Sequence, residues 1–165
     1  MHWLVCLLCS LHAAWGFLMP KKIHFFAGIF ATATIGVFFL STALVELFGS
    51  HEEMAAVKRL IVMPGLFLLV PALAATGGSG FFLSKSRCSR LVDAKKKRMP
   101  FIAANGMLVL LPCAIVLNRW ASAGSFDAAF YYVQAIELLA GATNLVLMGL
   151  NIRDGLKLSG KLRPD

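Results

Sequence analysis

Apolar residues in this chain fall in long blocks separated by short polar stretches, and the blocks have the length of a membrane crossing. Residues 23–48, about 54–83, 99–120 and 128–151 are each predicted helices, since about 20 residues at 1.5 Å rise per residue cross a bilayer core. The pattern therefore predicts an all-α protein, an integral membrane four-helix bundle in one domain over residues 19–165. Within the first helix Gly28, Thr32 and Gly36 recur every four residues, a stripe on which a second helix can approach closely. Pro64, Pro71 and Pro112 interrupt the second and third helices, and each removes a backbone donor and invites a kink. The polar breaks carry helix-start chemistry: Ser50 with Glu53 three residues later reads as a capping box, and Ser125 or Asp127 as the N-cap of the fourth helix.

Residues 1–18 are also apolar but lack the basic start of a secretory signal. They are expected to be an N-terminal extension, a signal-like run or an extra helix. Met19 opens an alternative start, with Lys21 and Lys22 as its basic flank. Cys6 and Cys9, a CxxC in a leucine-rich run, and His2 and His12 carry no metal or redox reading there.

Composition agrees with the pattern. The chain has 165 residues, 59% of them hydrophobic, with a mean hydropathy of +0.77, values of a membrane protein. The net charge of +8 does not point to nucleic acid, because the cations crowd into breaks between apolar blocks instead of forming a basic face. Residues 84–98 hold seven Lys or Arg against Asp93 alone and read as a cytoplasmic loop beside anionic lipid head groups. Of the sixteen Lys and Arg, only Lys58, Arg59 and Arg119 fall at the opposite ends of the helices. Both termini are accordingly expected in the cytoplasm and the protein in the bacterial inner membrane. The four cysteines are too scattered for a disulfide framework, and Cys88 and Cys113 are expected to be thiols.

Ionisable side chains inside spans cost about 2.5–3.5 kcal/mol each on insertion scales, so each needs a partner or a task. Glu137 is the deepest, roughly 14 Å along its helix from Ala128 at 1.5 Å per residue. Gln134, Gly141, Asn144, Met148 and Asn151 share its face at helical spacing, a polar stripe that must point into the bundle. Glu46, Lys58 and Arg59 lie in the same half. One expectation is that Glu137 pairs with Lys58 or Arg59 and holds the helices in register. The other is an outer-half polar cavity in which Glu137, Glu46, Arg59, Lys58, Gln134 and Asn144 bind an ion, a proton or a small ligand. No nucleophile with a base, zinc spacing or phosphate loop is present, which points away from a self-contained enzyme. A membrane-complex subunit or a homo-oligomer is the further expectation.

His24 stands at the start of the first helix, with Met148 or Met99 at similar depth, while His51 lies at the other end. This allows a haem b ligated through His24, with Met148 as a second candidate ligand. Ile23, His24 and Phe25 opening a helix, Ala75 to Gly77 closing the next, a Lys-rich approach to the third, and Asn118 with Arg119 ending it resemble the copper-resistance D domain and the HemJ-type protoporphyrinogen oxidases. That resemblance spans roughly residues 23–119 and implies a haem-binding membrane redox protein with haem near His24. As a whole the chain resembles uncharacterised small four-helix bacterial inner-membrane proteins.

Overall fold

The computed structural model describes the backbone of residues 2–84 and 90–160 and the side chains of residues 22–83 and 90–160. The readings of His2, Cys6, Cys9 and His12 as side chains, of Cys88 and of the tail beyond Gly160 lie outside the described residues. Helix α1 runs from His2 to Phe48 without a break. A turn leads to α2 (His51–Leu60), a π-helical segment (Ile61–Gly65) and α3 (Leu66–Ser84). Then come α4 (Arg90–Asn105), a second π segment (Gly106–Leu110), α5 (Leu111–Ser122) and α6 (Ala128–Leu158). No strand occurs among the described residues. Four stretches, Lys22–Phe48, His51–Leu83, Arg90–Ser122 and Ala128–Leu158, are long and apolar enough to cross a membrane.

Both predicted starts form as the side-chain chemistry requires. The Ser50 hydroxyl accepts from the Glu53 amide at 3.3 Å while the Glu53 carboxylate accepts from the Ser50 amide at 2.7 Å, so two orphan donors of α2 are satisfied reciprocally. Asp127 caps α6 by accepting from the Phe130 amide at 3.0 Å.

The lengths differ from expectation at the basic end. Residues 90–98, expected in a loop, are helical and open α4, so Pro100 sits inside this helix and not in its first turn. Likewise α6 continues past Asn151 to Leu158. Lys and Arg are good helix formers whose stems lie along apolar surface while their charges reach water. A cluster of cations therefore ends the hydropathy pattern without ending the helix.

Helix α1 packs along α3, where the position of a Gly28 side chain would meet Thr76 Cγ2 at 3.6 Å, and against α6, where Gly36 faces Leu145. One buried cluster joins Ala31 and Ile35 of α1 to Leu69, Ile102 and Met148. A second, nearer the turns at residues 49–50 and 123–127, joins Met54, Leu117, Ala121 and Phe130. At this turn end α2 packs on α5, whereas at the basic end α3 and α4 scarcely touch. The change falls at the two π segments. In the first, Pro64 follows Met63, whose torsions (φ −136°, ψ 111°) leave the helical region, a break that re-aims α3 relative to α2.

Candidate functional site

The polar stripe of α6 is buried: Gln134, Gly141, Asn144, Met148 and Asn151 all face inward, as does Asp154 one turn further on. Neighbouring helices answer it at three levels.

Nearest the turn end, the Lys58 ammonium of α2 donates to the Glu137 carboxylate. Lys58 is 2% exposed and Glu137 12%, which makes this pair the most deeply sequestered charge contact among the described residues. Glu46 of α1, half-buried, lies close enough to Lys58 to feel its charge. Arg59, one residue along, sits on the exposed side of α2 and makes no ion pair among the described residues. One turn before Glu137, Gln134 is 1% exposed. Neither its side-chain oxygen nor its nitrogen has a hydrogen-bond partner, and the same holds for Asn118 Oδ1 on α5. Buried amides are otherwise almost always satisfied, so the polar nest of Gln134 beside the Lys58 and Glu137 pair has the chemistry to take water or a small polar ligand.

At mid-height, Asn105 Nδ2 donates to Asn144 Oδ1 at 2.9 Å and to the Ala140 carbonyl at 2.9 Å, and Asn144 Nδ2 donates to the Ile102 carbonyl at 3.4 Å. Asn144 is thus spent on tying α6 to α4. At the basic end Asp154, 1% exposed, accepts from Arg98 at 2.6 Å and from Arg153 at 3.4 Å. Sequence reasoning missed Asp154 and Arg98, having placed them in a tail and a loop. The signal was present in the three-residue step from Asn151 to Asp154, which continues the stripe.

His24 lies at this same end. Its Nδ1 is 3.0 Å from the Thr76 carbonyl and 3.3 Å from Ser79 Oγ. A carbonyl only accepts, so Nδ1 carries a proton, and in the neutral ring Nε2 keeps its lone pair. Gly80 makes room for the ring: a Cβ there would stand 2.9 Å from His24 Cε1.

A cavity of about 1250 Å³ runs between α1, α3, α4 and α6, from Thr42 and Glu137 near the turn end to Lys22, Lys95 and Ser159 at the basic end. It is not confined to the half that holds Glu137, and its wall is mostly apolar, with His24, Asn144 and Met148 among the exceptions to pure hydrocarbon. Gln134 is not part of that wall. Among the described residues no three of His, Cys, Asp and Glu converge as metal ligands.

The fold and site together define a class: an all-helical protein with four helices of membrane-crossing length, a buried ion pair and a long, half-open cavity. No protein family, no curated protein and no solved structure matches the chain significantly.

Proposed function

We propose that this chain is a multi-pass protein of the bacterial inner membrane, with both termini in the cytoplasm, and that it binds an exchangeable proton, an ion or a small polar ligand at Glu137. Insertion is supported by the large apolar side chains turned outward along the spans, among them Val37, Leu40 and Leu44 on α1 and Leu139 and Val146 on α6. A continuous belt of this kind marks a surface meant for lipid or for a partner, not for water. The orientation is supported by the gathering of cations at the basic end, with only Lys58, Arg59 and Arg119 near the other. A green fluorescent protein fused after Asp165 is expected to fluoresce in cells, and alkaline phosphatase inserted at Gly124 to be active. The opposite pair of results overturns this topology.

The observation that carries the binding reading is Gln134, buried with both amide atoms unpartnered one turn from a buried ion pair. Ionisable groups at membrane depth mark proton and ion paths more often than bare packing sites do. The chain supplies the parts: Glu137 as the acceptor of a proton or cation, Lys58 as its counter-charge, and Gln134 as a neutral hydrogen-bonding group. The test is an infrared pH titration of the reconstituted protein. A carboxyl band that titrates and is missing in Glu137→Gln supports the reading, whereas a carboxylate silent to pH reduces the pair to a structural tie between helices.

One observation favours a second reading, a haem b protein ligated through His24. The bond from Nδ1 to the Thr76 carbonyl fixes the tautomer and turns the Nε2 lone pair free, the arrangement that metal-ligating histidines adopt. His24 also lines a cavity above the usual range of about 300–1,000 Å³ for small-molecule sites, and Met148 lines the same cavity. Bound there, haem would supply one-electron redox chemistry, with His24 holding it and Thr76 holding His24. A Soret absorption lost in His24→Ala supports this reading, and a colourless preparation from haem-sufficient cells sinks it.

A further inference from the structure

The long cavity is larger than the polar nest requires, and its two ends differ chemically. Most of its wall is aliphatic or aromatic, from Phe38 and Leu69 to Leu73 and Met99, while Lys22, Lys95 and Lys96 line the basic end. Among the described residues none of these three lysines is in an ion pair, although Asp154, bonded to Arg98 and Arg153, lies near enough to Lys95 to attract it. Lys95 Nζ lies over the α6 backbone, 3.4 Å from where a Gly155 side chain would begin. Its charge is therefore held at the cavity and not spread into solvent. At the same end α3 and α4 scarcely touch among the described residues, and the exposed Val70 and Phe81 of α3 line the cavity, which is therefore open at its side.

We propose that this cavity holds one anionic membrane amphiphile, a long hydrocarbon tail bearing a phosphate or carboxylate head. The tail lies among the apolar side chains of α1, α3 and α6, and the head sits against Lys95 and Lys96. Three physical reasons converge. An apolar space of this size open to a bilayer fills with hydrocarbon, because water there would lack polar partners. Three lysines at its mouth face the single carboxylate of Asp154, itself bonded to two arginines, and this excess of cations gains from an anion, as basic pockets between membrane helices on the cytoplasmic side do. A zwitterionic head would instead set its quaternary ammonium beside three lysines. The inference rests on the membrane reading above but not on the Glu137 site, because the head is placed at the other end of the cavity.

The test uses the full chain in mild detergent, titrated separately with dioleoyl phosphatidylglycerol, oleate and dioleoyl phosphatidylcholine and read by native mass spectrometry. One anionic molecule per chain is expected, retained at least about tenfold better than the zwitterionic lipid, a difference of roughly 1.4 kcal/mol. Retention of phosphatidylglycerol alone assigns a phosphate head, and equal retention of oleate assigns any anion. Lys95→Gln with Lys96→Gln is expected to erase the preference. Gly77 lines the cavity, and a Cβ there meets nothing within 4 Å, so Gly77→Leu is expected to fill the tail space and lower retention of every lipid without lowering the melting temperature. Equal binding of all three lipids, retention unchanged in both variants, or a dimer that seals the gap between α3 and α4 with no lipid inside would each overturn the proposal. The infrared titration reads Glu137 and the lipid titration reads Lys95 and Lys96, so Lys95→Gln with Lys96→Gln is expected to lose the lipid preference and keep the Glu137 band, which separates failure here from failure at the polar nest. A chain that stays dispersed in buffer without detergent removes the membrane reading itself.

Discussion

Lys58 of α2 and Glu137 of α6 neutralise each other inside the bundle, at 2% and 12% exposure. They are 79 residues apart in sequence and join the second long apolar stretch to the fourth, just before the kink at Met63 and Pro64. Such a pair stabilises less than its Coulomb attraction suggests, because both charges give up their solvation, but breaking it from one side leaves a bare buried charge.

Glu137→Gln alone is therefore expected to destabilise the protein by about 3–5 kcal/mol. Lys58→Met combined with Glu137→Leu should restore most of that loss while removing the infrared titration. Thermal melts in detergent check the first outcome. A single variant as stable as the parent would show that the pair does not hold α2 to α6.

At the basic end the two arginines facing Asp154 are expected to differ. Arg98 is 25% exposed and bonds at 2.6 Å, whereas Arg153 is 55% exposed at 3.4 Å. Arg98→Ala leaves a buried carboxylate without its main partner and should cost several kcal/mol, on the order of 3. Arg153→Ala should cost less than about 1 kcal/mol, as solvent-screened pairs do. Equal losses in denaturant titrations would contradict this ranking.

Gly80→Ala is expected to push the His24 ring off the Thr76 carbonyl, because the new methyl group would stand 2.9 Å from Cε1. Overpacking of this kind costs about 1–3 kcal/mol. The cost should largely vanish in a His24→Ala background, so a double-mutant cycle gives the measurement. Additive losses would mean that the methyl group strains something other than the histidine.

Ser50→Ala removes the hydroxyl half of the capping box and is expected to cost about 1 kcal/mol. Because the site is exposed, the loss should appear as faster amide exchange in the first turn of α2, with the Lys58 and Glu137 pair intact. Protection unchanged at Glu53 would count against the cap.

The single-helix features were legible in the residues. The long apolar helices follow from apolar length, the α2 cap from Ser50, the α6 cap from a choice between Ser125 and Asp127 that the structure gives to Asp127, and the buried face of α6 from the spacing of Gln134, Glu137, Gly141 and Asn144, since each depends on one helix and its solvent. Pro64 likewise announced its break. The ends of α4 and α6 were not legible, because Lys and Arg signal an interface to hydropathy while remaining good helix formers. The choice of Lys58 over Arg59 was open too: adjacent residues point about 100° apart on a helix of 3.6 residues per turn, and only the rotation of α2 decides between them.

What the sequence determined by itself is thus the number of long apolar helices, their starts and the face of α6 that must be hidden. Only the tertiary structure decided which charges meet and that α3 and α4 separate beside a long cavity. The physical reason is that periodicity is a property of one helix. Pairing and empty space depend on the tilt and rotation of several, set here by two mid-span breaks whose angles no single stretch of residues encodes.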